Sequence, residues 1–266
     1  MADHFHYYEL KTFAGTVADC MNFKLPETYA TGIKWVSTLV KERLGGPADR
    51  AVIYHADAVG SYMFQQYPYL FAPVQRHTSM IIPFVSTKES VNPVVYATMY
   101  TGVDPEVHGI QTYVRPKLTC DTLFDQYIKA GKKVAVLTMQ ESTFNYIFAG
   151  RKIDFYNGAN ALEIREKAIK LIEKDRYDLL SIHTLDYDSA AHHYGPEAKE
   201  SKNALSLEAE GFDAIAEAIK KLNKGHRTLL TYSPDHGQHL TLGGTGTHGS
   251  NLTEDMNVFH FVAAIR

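Results

Sequence analysis

The sequence predicts an α/β protein in which a mostly parallel central sheet is covered by helices on both faces. Short apolar runs of strand length alternate along the chain with longer segments of helical periodicity. The chain has 266 residues, of which 45% are hydrophobic and 21% are charged. This size and composition are typical of one globular domain, so we treat residues 1–266 as a single domain with insertions.

The first 48 residues carry no chemistry that we can assign. His4 and His6 form a His-x-His pair near the terminus, which is more often a surface feature than a metal site. From Ile33 to Val40 apolar residues recur with helical spacing, and Gly45 follows at the end of this pattern. We expect residues 1–48 to form an aromatic and helical extension that serves packing or oligomerisation.

Asp57 directly follows the first clear strand pattern, residues 51–56, and stands at its carboxyl end. Ligands of open α/β sheets collect at this edge, so Asp57 is a candidate ligand, although an aspartate there can also cap the next helix. Residues 61–90 are rich in aromatic residues and contain prolines without clear periodicity. We interpret them as an insertion over the site that can contact substrate.

A helical pattern begins at Asn92 and Pro93, runs to Thr101 and ends at Gly102. An asparagine before a proline is typical of an N-cap followed by the first helical residue. The free N–H groups at such a helix start favour an anion such as phosphate.

Strands and helices alternate in the remainder of the chain. The sequence predicts a strand at 134–138, a helix at 161–174, a strand at 177–184, a helix at 197–223, and strands at 227–232 and 257–264.

Acidic and histidine residues follow two of these strands. Asp188 and His192 come after one strand and are four residues apart, which places both on one side of a helical turn. Asp235 and His236 follow the next strand, and His248 comes later in a glycine-rich loop. Carboxylates with imidazoles are typical ligands of divalent metal ions. Each pair alone is weak evidence, but the groups together predict a metal site.

Several short motifs follow one another between residues 57 and 256. They are the strand end at Asp57, TGVDPEVHGI at 101–110, DSAAHHYGP at 188–196, SPDHG at 233–237, and GTHG at 246–249 followed by EDM. In this order they resemble the alkaline phosphatase superfamily, and most closely its nucleotide pyrophosphatase/phosphodiesterase branch. The resemblance implies a three-layer α/β sandwich and a metal-dependent phosphodiesterase or phosphatase with a two-metal site.

The resemblance also implies which residues hold the metal ions. One divalent ion would be held by Asp188, His192 and His248. The other would be held by Asp57, Asp235 and His236. Zinc suits this mixed set of imidazoles and carboxylates, and manganese is the alternative.

One position departs from the family pattern. Family members place a nucleophilic Thr, Ser or modified Cys nine residues before the Thr of the Thr-Gly pair, and here 101 − 9 gives Asn92. An amide is no nucleophile for phosphorus. Ser90 carries a hydroxyl, but it lies two residues upstream and is expected to point away. Asn92 could ligate a metal through its oxygen or donate to a phosphoryl oxygen, and water activated by the metals would then attack.

Three functions stay open at this point. The first is the hydrolase of a small-molecule phosphoester or nucleotide. The second is a non-catalytic, metal-containing binder of a phosphorylated or sulfated ligand, because Asn92 occupies the nucleophile position. The third is a sulfatase or phosphonate hydrolase, which keeps the fold and changes the leaving group.

Composition limits the partners and the location. The net charge of −3 disfavours a nucleic-acid polymer as partner, and no apolar stretch has the length of a membrane span. Two distant cysteines and the absence of a signal-peptide pattern predict a cytoplasmic protein. The oligomeric state is not predicted.

Other motifs are better explained by structure than by chemistry. The segment 244–249 satisfies G-x-G-x-x-G, but no strand–helix pattern surrounds it as a dinucleotide site requires. His108 lies in the family's His-Gly turn, where we expect a structural role. Buried, hydrogen-bonded roles are expected for four residues within strand patterns: Tyr54, His55, His183 and His260.

Overall fold

The computed structural model describes residues 7–222 and 224–266 and places most of the strands in one sheet. The strands in chain order are β1 (Tyr8–Glu9), β2 (Arg50–Ala56), β3 (Met80–Val85), β4 (Val134–Met139), β5 (Asp154–Gly158), β6 (Leu179–Thr184), β7 (Thr228–Tyr232), β8 (His239–Leu240), β9 (Gly246–Thr247) and β10 (Asn257–Ile265). The main sheet has the order β1-β3-β10-β7-β2-β6-β4-β5, and β8 pairs only with β9. β10 is antiparallel to both of its neighbours, whereas the other pairings in the main sheet are parallel. The predicted mostly parallel sheet is confirmed.

Helices cover both faces of this sheet. In chain order they are α1 (Thr12–Met21), α2 (Lys34–Leu44), α3 (Ser61–Gln66), α4 (Ala72–Gln75), α5 (Asn92–Thr101), α6 (Pro105–His108), α7 (Leu123–Lys129), α8 (Thr143–Ile147), α9 (Ala161–Lys174), α10 (Asp186–Tyr194), α11 (Lys199–Lys221) and α12 (Thr253–Met256). One apolar core lies under α1, α2, α5, α7 and α8, and a second lies under α3, α4, α9, α10 and α11. Along β2, Ala51 and Ile53 enter the first core, whereas Val52 and Tyr54 enter the second. Because side chains of the sheet alternate between the two cores, the protein has three layers: helices, sheet and helices.

Local signals set several element boundaries, and the two glycine ends are those predicted. The Asn160 side chain accepts a hydrogen bond from the Glu163 N–H and caps α9. Gly45 and Gly102 end α2 and α5 in the left-handed conformation, at φ 69° and 67°. The predicted strands and helices after residue 130 are all present, and the start and end of α9 are those predicted.

The prediction that residues 1–48 form an extension is wrong in one respect for the described part: these residues are helical and packed, as expected, but they belong to the sheet and its core. β1 pairs with β3 in the main sheet, and Phe13 of α1 is buried in the first core. The sequence analysis did not identify α1, in which eight of the ten residues are buried. His4 and His6 lie outside the described residues.

The prediction that residues 61–90 form an insertion over the site is also wrong. β3 is an integral strand between β1 and β10, with Met80, Ile82 and Phe84 turned inward. Pro83 within this run disguised a strand pattern. The preceding helices α3 and α4 pack on β10 and α11 respectively.

The central strands bring distant segments of the chain to one edge. β2 lies between β6 and β7 and is parallel to both, so the carboxyl ends Ala56, Thr184 and Tyr232 meet at the same edge. Within the described residues, none of the helices has both the length and the apolar character that a membrane crossing requires.

Candidate metal centre

Six acidic and histidine side chains meet at the carboxyl edge of β2, β6 and β7. We call Asp57, Asp235 and His236 the inner set. The outer set is formed by Asp188, His192 and His248. Within each set, one ligand atom from every residue lies within 4.8 Å of the others. These are the same two sets of three that the family resemblance implied.

The two sets are in direct contact with each other. The His236 ring of the inner set stacks on the His248 ring of the outer set, with centroids 4.1 Å apart. The inner set is fully buried, whereas 41% of the His192 side chain is exposed. The six residues therefore form one cluster that opens to solvent on the side of the outer set.

The inner set contains three buried atoms without a hydrogen-bond partner. They are Asp57 Oδ1, Asp235 Oδ2 and His236 Nε2. The His236 nitrogen lies 3.3 Å from the Asp235 oxygen and 3.8 Å from the Asp57 oxygen. A buried polar atom without a partner costs about 1–3 kcal/mol, and a cation between the three atoms would satisfy all of them.

All three imidazoles of the cluster are oriented by backbone carbonyls. Each Nδ1 faces a carbonyl oxygen: His192 faces Gly246 at 3.0 Å, His236 faces Gly237 at 3.0 Å, and His248 faces Ser90 at 2.9 Å. A carbonyl can only accept, so Nδ1 carries a proton, and Nε2 keeps its lone pair whenever the ring is neutral. Metal-binding histidines are held in this way in known sites.

Burial and mutual repulsion shift the pKa values of the cluster. Burial raises the pKa of Asp235 to about 7, and burial together with the charge of Asp235 raises the pKa of Asp57 well above its usual value. Burial lowers the pKa of His248 to about 4. Neighbouring carboxylates and neutral imidazoles buried together are the state that a divalent cation stabilises.

Asp188 behaves differently within the outer set. Burial alone would raise its pKa, but pairing with His192, whose Nε2 lies 3.3 Å away and carries a proton when the ring is cationic, and the nearby imidazoles hold the pKa below its usual value. The pairing confirms the predicted geometry, in which Asp188 and His192 stand one turn apart on a helix. The donor set of one carboxylate and two imidazoles fits a divalent transition metal such as zinc.

Two supporting residues were not identified as part of the site from the sequence. His183 Nε2 lies 2.7 Å from Asp57 Oδ2, and Gln238 Nε2 donates to Asp188 Oδ1 at 2.5 Å. The buried, hydrogen-bonded role predicted for His183 is confirmed, but its partner is a carboxylate of the cluster. The position of Gln238, two residues after His236, was the only sequence signal for it.

Asp255 joins the two loops that carry the cluster histidines. Its carboxylate accepts hydrogen bonds from the Ser250 N–H at 2.9 Å and from the Ser250 hydroxyl at 2.7 Å. The other carboxylate oxygen lies 2.8 Å from His239 Nδ1. Because Ser250 follows His248 and His239 follows His236, Asp255 holds both loops at fixed positions.

Asn92 does not cap α5 as predicted. Val91 occupies the N-cap position, with φ −129° and ψ 144°, and Asn92 is the first helical residue. The Asn92 Nδ2 group instead donates to Asp57 Oδ2. A cap would use the Asn92 side-chain oxygen as an acceptor, whereas here its NH₂ group donates to Asp57, and hydrogen bonds to charged groups are about twice as strong as neutral ones. The amide nitrogen of Asn92, rather than its oxygen, therefore faces the inner set.

The remaining sequence motifs lie outside the cluster. The Ser90 hydroxyl donates to the Ser250 carbonyl at 3.1 Å, in line with the expectation that it points away. His108 Nε2 lies 2.9 Å from the Thr98 hydroxyl, which supports a structural role. The segment 244–249 contains β9 and does not open a helix.

One comparison with known proteins identifies a family for this chain. The sequence matches the family described as type I phosphodiesterase/nucleotide pyrophosphatase over residues 87–242. No match is found among curated protein sequences. The structure is similar to phosphonoacetate hydrolase from Sinorhizobium meliloti 1021 in complex with phosphonoformate, with a TM-score of 0.54 and 16% identity, over 76% of this chain and 59% of that chain.

Two further solved structures have a similar fold. The zinc complex of the C-terminal periplasmic domain of EcEptC from Escherichia coli has a TM-score of 0.57 and 13% identity, over 82% of this chain and 73% of that chain. Inactive murine ectonucleotide pyrophosphatase/phosphodiesterase 5, in complex with AMP, has a TM-score of 0.56 and 13% identity, over 74% of this chain and 59% of that chain. At these identities the likeness shows the fold alone.

The family match covers more than half of this chain, whereas the chain spans only 59% of the length of phosphonoacetate hydrolase. The matched residues include both members of the Asp188–His192 pair and the adjacent Asp235 and His236. The chain therefore belongs to the type I phosphodiesterase and nucleotide pyrophosphatase family.

Proposed function

We propose that this protein is a metal-dependent hydrolase of small phosphoesters and that the six-residue cluster holds two divalent ions. The observation that carries the proposal is the convergence of three buried, unpartnered ligand atoms from Asp57, Asp235 and His236. Membership of the family points to a phosphoester bond as the one that is broken.

The inner set would hold one ion and the outer set the other, with zinc as the proposed metal and manganese as the alternative. When bound, two such ions supply Lewis acidity toward phosphoryl oxygens and lower the pKa of water. The residues of the chain orient the ligands, exclude water from the inner set and leave the outer set open to substrate. The proposed substrate is a small-molecule phosphoester or nucleotide, and a cytoplasmic location stays a prediction.

The position of Asn92 argues for direct attack by water. Its amide cannot form a phosphoryl intermediate, and its nitrogen is engaged with Asp57. The nearby Ser90 hydroxyl is engaged with Ser250. We therefore propose a single in-line displacement, which inverts the configuration at phosphorus, whereas a covalent intermediate would retain it.

The test is turnover of aryl esters by protein loaded with zinc or manganese. We expect hydrolysis of bis(4-nitrophenyl) phosphate or 4-nitrophenyl phosphate, and loss of this activity in Asp188→Asn. Asp186→Asn is the matched control, because Asp186 lies on the same helix but accepts from the Ala161 N–H outside the cluster. A chiral phosphorothioate substrate then reports inversion or retention.

The outcomes separate the competing functions. Faster turnover of 4-nitrophenyl sulfate or of a phosphonate would identify a sulfatase or a phosphonate hydrolase. The absence of turnover by fully loaded protein, together with tight binding of phosphorylated or sulfated ligands, would identify a non-catalytic binder. That second candidate is favoured by one observation, the amide of Asn92 at the nucleophile position.

A further inference from the structure

Asp57 has two oxygens with different surroundings. Oδ2 lies 2.7 Å from His183 Nε2 and accepts a hydrogen bond from the Asn92 amide. Oδ1 has no hydrogen-bond partner and faces His236 Nε2 at 3.8 Å. With Oδ2 engaged by two donors, only Oδ1 is available to an ion.

His183 is itself held from behind by a chain of hydroxyl groups. Its Nδ1 lies 3.0 Å from the Thr138 hydroxyl on β4, and Thr138 lies 2.7 Å from the Ser142 hydroxyl. Thr138 is fully buried and Ser142 is 5% exposed. When Asp57 is a carboxylate it can only accept, so His183 donates to it from Nε2. The two hydroxyl groups therefore hold the ring in place from its Nδ1 side.

Aromatic side chains prevent the His183 ring from turning away. Phe144 stacks on it with centroids 4.8 Å apart, and Tyr96 meets it edge-on at 5.0 Å. Because both nitrogens are hydrogen-bonded and both neighbours are close-packed, the ring has one accessible orientation. It presents Nε2 to Asp57.

From this geometry we propose that His183 is a positioning residue that makes Asp57 a one-oxygen ligand of the inner ion. The proposal rests on the proposed metal centre. Residues behind metal ligands typically change metal affinity 10–100-fold when they are replaced. Thr138 acts through His183, one step further from the ion.

His55 offers a matched control within the same core. It is the register partner of His183 on the adjacent strand and is also fully buried. Its ring packs against the same Tyr96 and Phe144, at 5.3 and 5.8 Å. Its nitrogens face the Ser233 carbonyl and the Tyr100 hydroxyl, so it touches no residue of the cluster.

The experiment measures two quantities for each variant. One is the zinc affinity, from competition with a chromophoric chelator, and the other is the melting temperature of the metal-free protein. We expect His183→Leu to weaken one of the two zinc sites about 10–100-fold. His183→Gln should recover part of this loss, because the glutamine amide can place a donor near the position of Nε2. His55→Leu should lower the melting temperature of the metal-free protein and leave both zinc affinities unchanged.

A double-mutant cycle tests the hydroxyl chain and covers the case in which His183→Leu fails to fold. Thr138→Val alone should weaken zinc binding. Added to His183→Gln, the same substitution should cause no further loss of zinc affinity. Equal zinc affinities in His183→Leu, His183→Gln and His55→Leu would overturn the proposal, as would a wild-type protein without zinc binding. The readout does not depend on turnover, so a protein that binds zinc but hydrolyses nothing would contradict the proposed function alone.

Discussion

Asp235→Asn is expected to stabilise the metal-free protein at pH 8 while weakening the metal-loaded one. At that pH the fold without metal carries a buried Asp235 carboxylate whose Oδ2 has no partner, beside the carboxyl group of Asp57. Asparagine has the same shape and can still accept the hydrogen bond from the Ala58 N–H, which is 3.2 Å long. It removes the buried charge but also one ligand of the inner set.

The size of the effect follows from the pKa of Asp235. Burial raises this pKa from 3.8 to about 7, a difference of about 3 units at about 1.4 kcal/mol each, or about 4 kcal/mol. Because the folded-state pKa is raised, wild type loses this stability as the pH rises from about 4 to about 7. The gain in stability of metal-free Asp235→Asn over wild type is therefore largest at pH 8 and vanishes near pH 4. At roughly 2–4 °C per kcal/mol, the melting temperature of metal-free Asp235→Asn should exceed that of wild type by at most roughly 8–16 °C.

Calorimetry of the metal-free proteins at pH 5 and pH 8, repeated with excess zinc, measures this difference. Asp255→Asn is the matched control, because Asp255 is equally buried but its carboxylate is hydrogen-bonded to Ser250 and His239. That variant should be less stable than wild type with or without zinc. A lower melting temperature for metal-free Asp235→Asn at pH 8, or an equal gain at both pH values, would refute the electrostatic reasoning.

Three further outcomes are expected. Chelation should lower the melting temperature, since an ion present at 100 times its dissociation constant adds about 2.7 kcal/mol to the free energy of unfolding. An unchanged melting curve after verified metal removal would indicate that the cluster is a polar network without metal. Asn92→Thr should raise phosphoesterase turnover and change inversion at phosphorus to retention, and turnover no higher than that of Asn92→Ala would contradict this. Ser90→Ala should leave turnover unchanged, because the backbone carbonyl of Ser90, not its hydroxyl, holds His248; loss of activity would place the nucleophile at Ser90.

Much of the fold could be predicted from local patterns. α9 has a capping asparagine and an amphipathic repeat within its own 14 residues, so the sequence there contains all the information needed. The convergence of most of the ligands was predictable because neighbouring parallel strands bring their carboxyl ends to one edge, whereas the division into two sets followed from the family resemblance. The strand β3 was not predicted, because its place in the sheet depends on pairing with β1 and β10, which are far away in the sequence.

The parts of the site that were missed depend on tertiary contacts. Local preference makes Asn92 a good cap, but a buried carboxylate 35 residues away takes its amide. His183 has a pattern that is typical of a buried strand residue, and only the pairing of β2 with β6 places it against Asp57. Side-chain partners of this kind are not encoded in the spacing of residues along the chain.

The long separation between the inner ligands has a consequence for the kinetics of folding. Asp57 and Asp235 are separated by 235 − 57 = 178 positions, so their approach closes a large loop of chain that forms slowly. The inner ligands meet only after β2 has paired with β7, so we expect ion capture to come after the main folding barrier. Interactions made after the transition state slow unfolding without accelerating folding. Zinc is therefore expected to lengthen the lifetime of the native protein and to leave its refolding rate unchanged.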